Sequence, residues 1–131
     1  MFKIKAIQSI EEQIQFANAC GTTAISGYFA YAMQDVETNE TMGFSQFDIT
    51  GEIAYISDIK EAIGRNDFEA MFILGRSTMN FIDMCGAHSL SAKADAGDNI
   101  LLRAIGLKKT ENGELYCDMT GFFDGSHCSG H

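Results

Sequence analysis

Apolar and polar positions along the chain follow two periods, and the switches between them predict an alternation of strands and helices. Residues 2–7 alternate up to Ala6, the period-two pattern of a half-exposed strand. Ser9 and Glu12 form an S-x-x-E capping box that opens a helix, with Ile10, Ile14 and Ala17 on one face and Gly21 as its stop. Strands are predicted over residues 28–36, 42–49 and 52–59, separated by the polar turn Glu37-Thr38-Asn39-Glu40 and by Gly51. In the second of these, Met42, Phe44, Gln46 and Asp48 oppose Gly43, Ser45, Phe47 and Ile49. Such short connections favour an antiparallel meander. Residues 60–66 read as a loop, and residues 67–84 as the main helix. There Phe68, Met71, Phe72, Gly75, Met79 and Ile82 keep helical spacing, while Ile73, Leu74 and Phe81 widen the stripe. A short strand over residues 88–94 follows. Asp98 then caps a short helix over residues 99–105 that ends at Gly106. Strands over residues 107–109 and 114–120 flank Asn112-Gly113, a strong hairpin signal. The order is β-α-β-β-β-α-β-α-β-β, an α/β chain read as one domain over residues 1–121 with a tail over residues 122–131.

Composition narrows the function classes. The chain has 131 residues, 46% hydrophobic and 21% charged, which suits one soluble globular domain and excludes disorder, collagen and coiled coil. No apolar run approaches the roughly 18 residues of a membrane span. A net charge of −9, with nine basic residues and one adjacent pair, Lys108-Lys109, argues against nucleic-acid or anionic-membrane partners. The N-terminus lacks the apolar core of a secretory signal, so a cytoplasmic location is expected. In a reducing compartment the four cysteines are thiols or metal ligands, with Cys20 and Cys117 read as buried thiols.

Two C-x-x-H pairs are the candidate metal ligands: Cys85 with His88, and Cys128 with His131. Two Cys and two His suffice for a tetrahedral zinc site. The alternative is a helix-end cysteine, a surface histidine and a frayed terminus. A Cys–His nucleophile is poorly served by Cys85, which falls at the negative end of a helix dipole. Ser45, Ser77 and Ser91 lack the G-x-S-x-G context of a hydrolase. Arg76 stands out on the apolar main helix, with solvent or a subunit interface as its expected surroundings.

The element order, with the stretch Ile100-Leu101-Leu102-Arg103-Ala104-Ile105-Gly106-Leu107-Lys108-Lys109 and the hairpin through Asn112-Gly113 to Tyr116, resembles the GNAT superfamily of acyl-coenzyme-A-dependent N-acyltransferases. The resemblance implies a mixed, mostly antiparallel central sheet. It implies acetyl-CoA as cofactor, held at the end of the fourth strand and the turn after it, by Ile59, Ile63, Gly64, Arg65 and Asn66. It also implies that the last strand runs beside the one starting at His88, bringing the tail toward Cys85 and His88.

Departures from the family pattern bear on activity. The Gly-rich R/Q-x-x-G-x-G/A turn, whose N–H groups hold pyrophosphate, is reduced here to Gly64 with Arg65 beside it. Asp67 and Glu69 occupy the first helical turn, where each acid would repel a phosphate about 6 Å away by roughly 1–3 kcal/mol. Asn66 or Asp67 serves there as a helix cap without any anion. The family position of a Tyr that protonates the leaving thiolate matches Leu102, which transfers no proton. Glu52 and Asp58 lie on the strand that supplies the family's general base, but neither has a partner legible in sequence, so no catalytic residue is assigned. The short segment over residues 21–27 implies a reduced acceptor pocket. The resemblance thus implies an acyl-CoA-dependent N-acyltransferase with eroded motifs. Its alternative is a non-catalytic GNAT-like binding or dimerisation module, with or without structural zinc. The strands over residues 2–7 or 114–120 are candidate sheet edges that a homodimer would cover.

Overall fold

The computed structural model describes residues 1–123. Strands β1 (Phe2–Ala6), β2 (Phe29–Asp35), β3 (Thr41–Thr50), β4 (Ile53–Glu61), β5 (Ser89–Ala92), β6 (Lys108–Lys109) and β7 (Leu115–Asp118) form one sheet in the order β1-β2-β3-β4-β5-β7-β6. Every pairing is antiparallel except β4 with β5. The helices are α1 (Ile10–Ala19), α2 (Phe68–Met84) and α3 (Asn99–Ile105). Element order and the mostly antiparallel sheet agree with the expectation, and β7 lies beside β5 as predicted. Strand β4 runs to Glu61, two residues into the stretch read as loop, because Gly43 and Phe44 of β3 still pair with Glu61 and Lys60.

The helix starts follow the capping chemistry of the sequence. Ser9 Oγ accepts the Glu12 N–H, Asp67 Oδ1 accepts the Ala70 N–H and Asp98 Oδ1 accepts the Ile100 N–H. The main core lies between the sheet and helices α2 and α3, built on Phe47, Ile56, Leu74, Met79, Ile82, Leu90 and Leu102. A smaller cluster under α1 contains Phe16, Ala17, Cys20, Phe44 and Ala62. Phe122 and Phe123 also pack against the main core. No helix of the described residues is long and apolar enough to cross a membrane.

Helix α1 is rotated from its predicted orientation. Ile10 and Ile14 are 38% and 46% exposed, while Gln13, Phe16 and Ala17 face the sheet. A buried amide network makes the difference. Gln13 Nε2 donates to Gln46 Oε1 at 2.9 Å and to the Ile25 carbonyl at 3.0 Å, so a polar residue occupies the inner face. A face found by counting apolar residues alone misses this, because a buried polar group is tolerated once it is paired. On α2, Phe68 and Ile73 are likewise more exposed than the apolar stripe suggested.

Candidate functional site

In α/β sheets, ligands favour the crevice outside the carboxyl ends of parallel strands. Here that place is where β4 and β5 part. Their pairing ends at Ile56 and Ala92, next to a bulge at Ser57, since Phe47 of β3 faces Ile56 and its neighbour Gln46 faces Asp58. A bulge bends its strand. Beyond it β4 leads into the turn before α2, and β5 into the loop before α3. A hollow of about 130 Å³ lies there, its walls including Ile59, Glu61, Asn66, Phe68, Gly97 and Asp98. Small-molecule pockets commonly enclose about 300–1,000 Å³, so the crevice is largely filled.

The chain itself fills it. The Ile59 N–H donates to the Ala96 carbonyl at 2.7 Å, and the Lys93 N–H to the Ile56 carbonyl at 2.9 Å, so the loop after β5 continues along the edge of β4. Lys60 Nζ donates to the Asp95 carbonyl at 2.6 Å. Gly97 sits so close that a Cβ there would lie 2.4 Å from the Ile59 carbonyl oxygen. The start of α2 is equally occupied. Asp67 caps it, and Glu61 Oε2 accepts the Asp67 N–H at 2.6 Å. Carboxylates therefore stand where a bound phosphate would need free N–H groups and positive potential.

Of the five residues expected to hold acetyl-CoA, Ile59 and Asn66 line the hollow. Ile63 does not line it. Its N–H donates to the Ala19 carbonyl, its side chain lies against Gly21, and it is 76% exposed. Gly64 adopts φ +90°, a turn-forming conformation that suits glycine. The Arg65 guanidinium pairs with Glu40 Oε1 at 3.2 Å rather than facing the hollow. Leu102 is fully buried in the core, so the position matched to the family's acid has no access to the crevice.

Two residues left open by sequence have defined partners. Asp58 is buried, accepting Thr22 Oγ1 on Oδ1 and both Gln46 Nε2 and Ser57 Oγ on Oδ2, at 2.7–2.9 Å. Gln46 also accepts the Ile25 N–H and donates to the Thr23 carbonyl. The network ties residues 22–25 to the sheet, and its carboxylate is committed to three donors. Glu52 is exposed, and its carbonyl accepts the N–H groups of His88 and Ser89. Arg76 is half-buried and has partners within the chain. Its Nε donates to the Ile105 carbonyl at 3.0 Å, and its guanidinium stacks on Phe72 and Phe122, 5.1 and 4.8 Å from their ring centres.

Each member of the Cys85–His88 pair has its own surroundings. His88 Nδ1 bonds Asp83 Oδ1 at 2.8 Å, and Cys85 is the exposed C-cap of α2. Among the described residues no three His, Cys, Asp or Glu side chains form a metal-binding group. Cys128 and His131 lie outside the described residues. The Met119 N–H does donate to the His88 carbonyl at 2.7 Å, so the end of β7 reaches His88 as the topology implied, before Phe122 turns onto Arg76. Burial pushes the Cys20 thiol up to about 12 and raises that of Cys117, which keeps both as poor nucleophiles.

No family model matches the sequence, and no curated protein matches it. Solved structures do match. Tetrahymena GCN5 superposes with a TM-score of 0.71 at 9% identity, over 88% of this chain and 94% of that one. A Bacillus subtilis acetyltransferase in complex with CoA gives 0.67 at 12% identity, over 90% and 99%. A GNAT family acetyltransferase from Brucella melitensis in complex with acetyl-CoA gives 0.66 at 10% identity, over 90% and 88%. At such identities the likeness is one of fold, and fold alone does not fix activity.

Proposed function

We propose that this chain, which has the GNAT fold, acts as a non-catalytic binding module and not as an ordinary acetyl-CoA-dependent acetyltransferase. The observation that carries the reading is the bond from the Ile59 N–H to the Ala96 carbonyl, which occupies the edge of β4 where the strands part. The carboxylates of Glu61 and Asp67 at the start of α2 point the same way. Isothermal titration of the purified chain with acetyl-CoA tests it. The expected result is no binding tighter than about 1 mM, equivalent to about −4 kcal/mol.

A second reading, the acyl-CoA-dependent N-acyltransferase, is favoured by the place of the hollow. It lies at the carboxyl end of β4 beside the start of α2, in a fold shared with acetyltransferases solved in complex with CoA or acetyl-CoA. This reading needs the loop over residues 93–98 to leave β4. Micromolar binding, with faster hydrogen exchange at the Ile59 amide when ligand is added, would establish it and overturn the first.

A further inference from the structure

A second hollow of about 180 Å³ lies on the far side of the same loop. Its walls are Ala94, Asn99, Arg103, Lys109, Gly113 and Leu115, two cations and no acid. Asn99 and Arg103 are four apart on α3 and share a face. Lys109 comes from β6, and Gly113 from the hairpin turn.

The chain carries a net charge of −9, and most of its cations are engaged. Lys5, Arg65 and Lys93 pair with acids, and Lys60 and Arg76 donate to carbonyls. Among the described residues Lys3, Arg103, Lys108 and Lys109 have neither kind of partner, although acids outnumber bases two to one, and of these four Arg103 and Lys109 line this hollow together. Arg103 lies in the last turn of α3, where a cation complements the helix dipole. That accounts for its presence but not for a second unpaired cation facing the same hollow. Glu111 and Glu114 belong to the same hairpin, and neither lines it.

We infer that this hollow is an anion site for a phosphoryl group of a small molecule. A guanidinium fork, an ammonium and an Asn amide offer several donors to one oxygen-rich group, the pattern that phosphate oxygens satisfy better than an apolar ligand. The volume suits a phosphoryl group with a few attached atoms, not a whole nucleotide. The site does not depend on the reading of the crevice, since its walls share no residue with that hollow.

Titration of the isotopically labelled full chain with inorganic phosphate, at constant ionic strength and pH, tests the site by amide NMR shifts. Saturable shifts confined to Asn99, Arg103, Lys109 and Gly113 are expected. Arg103→Gln and Lys109→Gln should each weaken binding at least about fivefold, and Arg103→Lys by less. Lys108→Gln, one residue away but outside the hollow, should leave affinity unchanged. No saturation overturns the proposal. So does an equal loss in Lys108→Gln, which would show diffuse attraction, and so does succinate binding as tightly as phosphate. Acetyl-CoA binding that survives Lys109→Gln concerns the crevice instead, so failure of one reading stays separable from failure of the other.

Discussion

Two hollows flank the loop between β5 and α3, and their polar groups are arranged in opposite ways. In the crevice beside β4, the groups that could meet a ligand are bonded within the chain: the Ile59 N–H to Ala96, Lys60 to the Asp95 carbonyl, and the start of α2 to Asp67 and Glu61. In the corner beside β6, Arg103 and Lys109 face an opening with no acid in its walls. The larger fold directs attention to the first, because parallel strand ends are the usual ligand position. The accounting of donors directs it to the second. A fold supplies positions, and the unspent hydrogen-bonding and charged groups decide which position can bind.

The strongest way to break this comparison is to force the loop off β4. Gly97→Ala would place a Cβ 2.4 Å from the Ile59 carbonyl oxygen, a backbone contact that no rotamer change relieves. Thermal unfolding should show a loss of about 1–3 kcal/mol, the range of an overpacked position, with faster exchange of the Ile59 amide. Unchanged stability and unchanged exchange would mean that the loop already stands away from β4 in solution, and the crevice is then an open site.

How far the sequence reveals these regions differs for a physical reason. The ten elements were legible because caps, turns and periodicity are local: Ser9 and Asp98 cap as predicted, and of the two candidates Asn66 and Asp67 it is Asp67 that caps α2. The carboxylates at the start of α2 were legible too, since Asp67 and Glu69 stand in one short stretch. The orientation of α1 was not, because Gln13 is drawn inward by Gln46, 33 residues away. Asp58 and Arg76 found partners at similar separations, Thr22 at 36 and Ile105 at 29. The loop that fills the crevice carries no motif. Its bond to Ile59 is backbone to backbone, which leaves only Gly97, a residue small enough for close approach, as a trace in sequence. The unpaired pair Arg103 and Lys109 is a property of three-dimensional spacing, and the low overall basicity of the chain concealed it.

A smaller effect separates charge from shape in the crevice. Asp67→Ala removes the cap that accepts the Ala70 N–H and should cost about 1 kcal/mol, within the range of N-cap losses. Asp67→Asn keeps a capping oxygen and removes the charge, so its stability loss should be smaller. If repulsion alone closed the crevice, the Glu61→Gln, Asp67→Asn double variant would gain acetyl-CoA affinity. The filling by Ala96 and Gly97 predicts no gain, and calorimetry on the double variant decides between the two causes.

The smallest expected effect concerns Cys20, which reports on the floor of the turn between β4 and α2. It packs in one cluster with Ala62, and the neighbouring Ala19 carbonyl accepts the Ile63 N–H. Burial, and then the nearby Glu61 charge, raise its thiol to about 12. The folded state therefore keeps a proton that the unfolded chain releases near pH 8.5. This contribution to stability is complete below that pH and declines as pH rises toward 12, since the unfolded state then binds fewer protons. With iodoacetamide at pH 8, peptide mass analysis should show exposed Cys85 modified while Cys20 and Cys117 stay protected. Cys20 reacting as fast as Cys85 would mean that the turn over residues 62–67 opens readily. The donors of the crevice would then be spent only part of the time, and the contrast with the corner hollow would become one of degree.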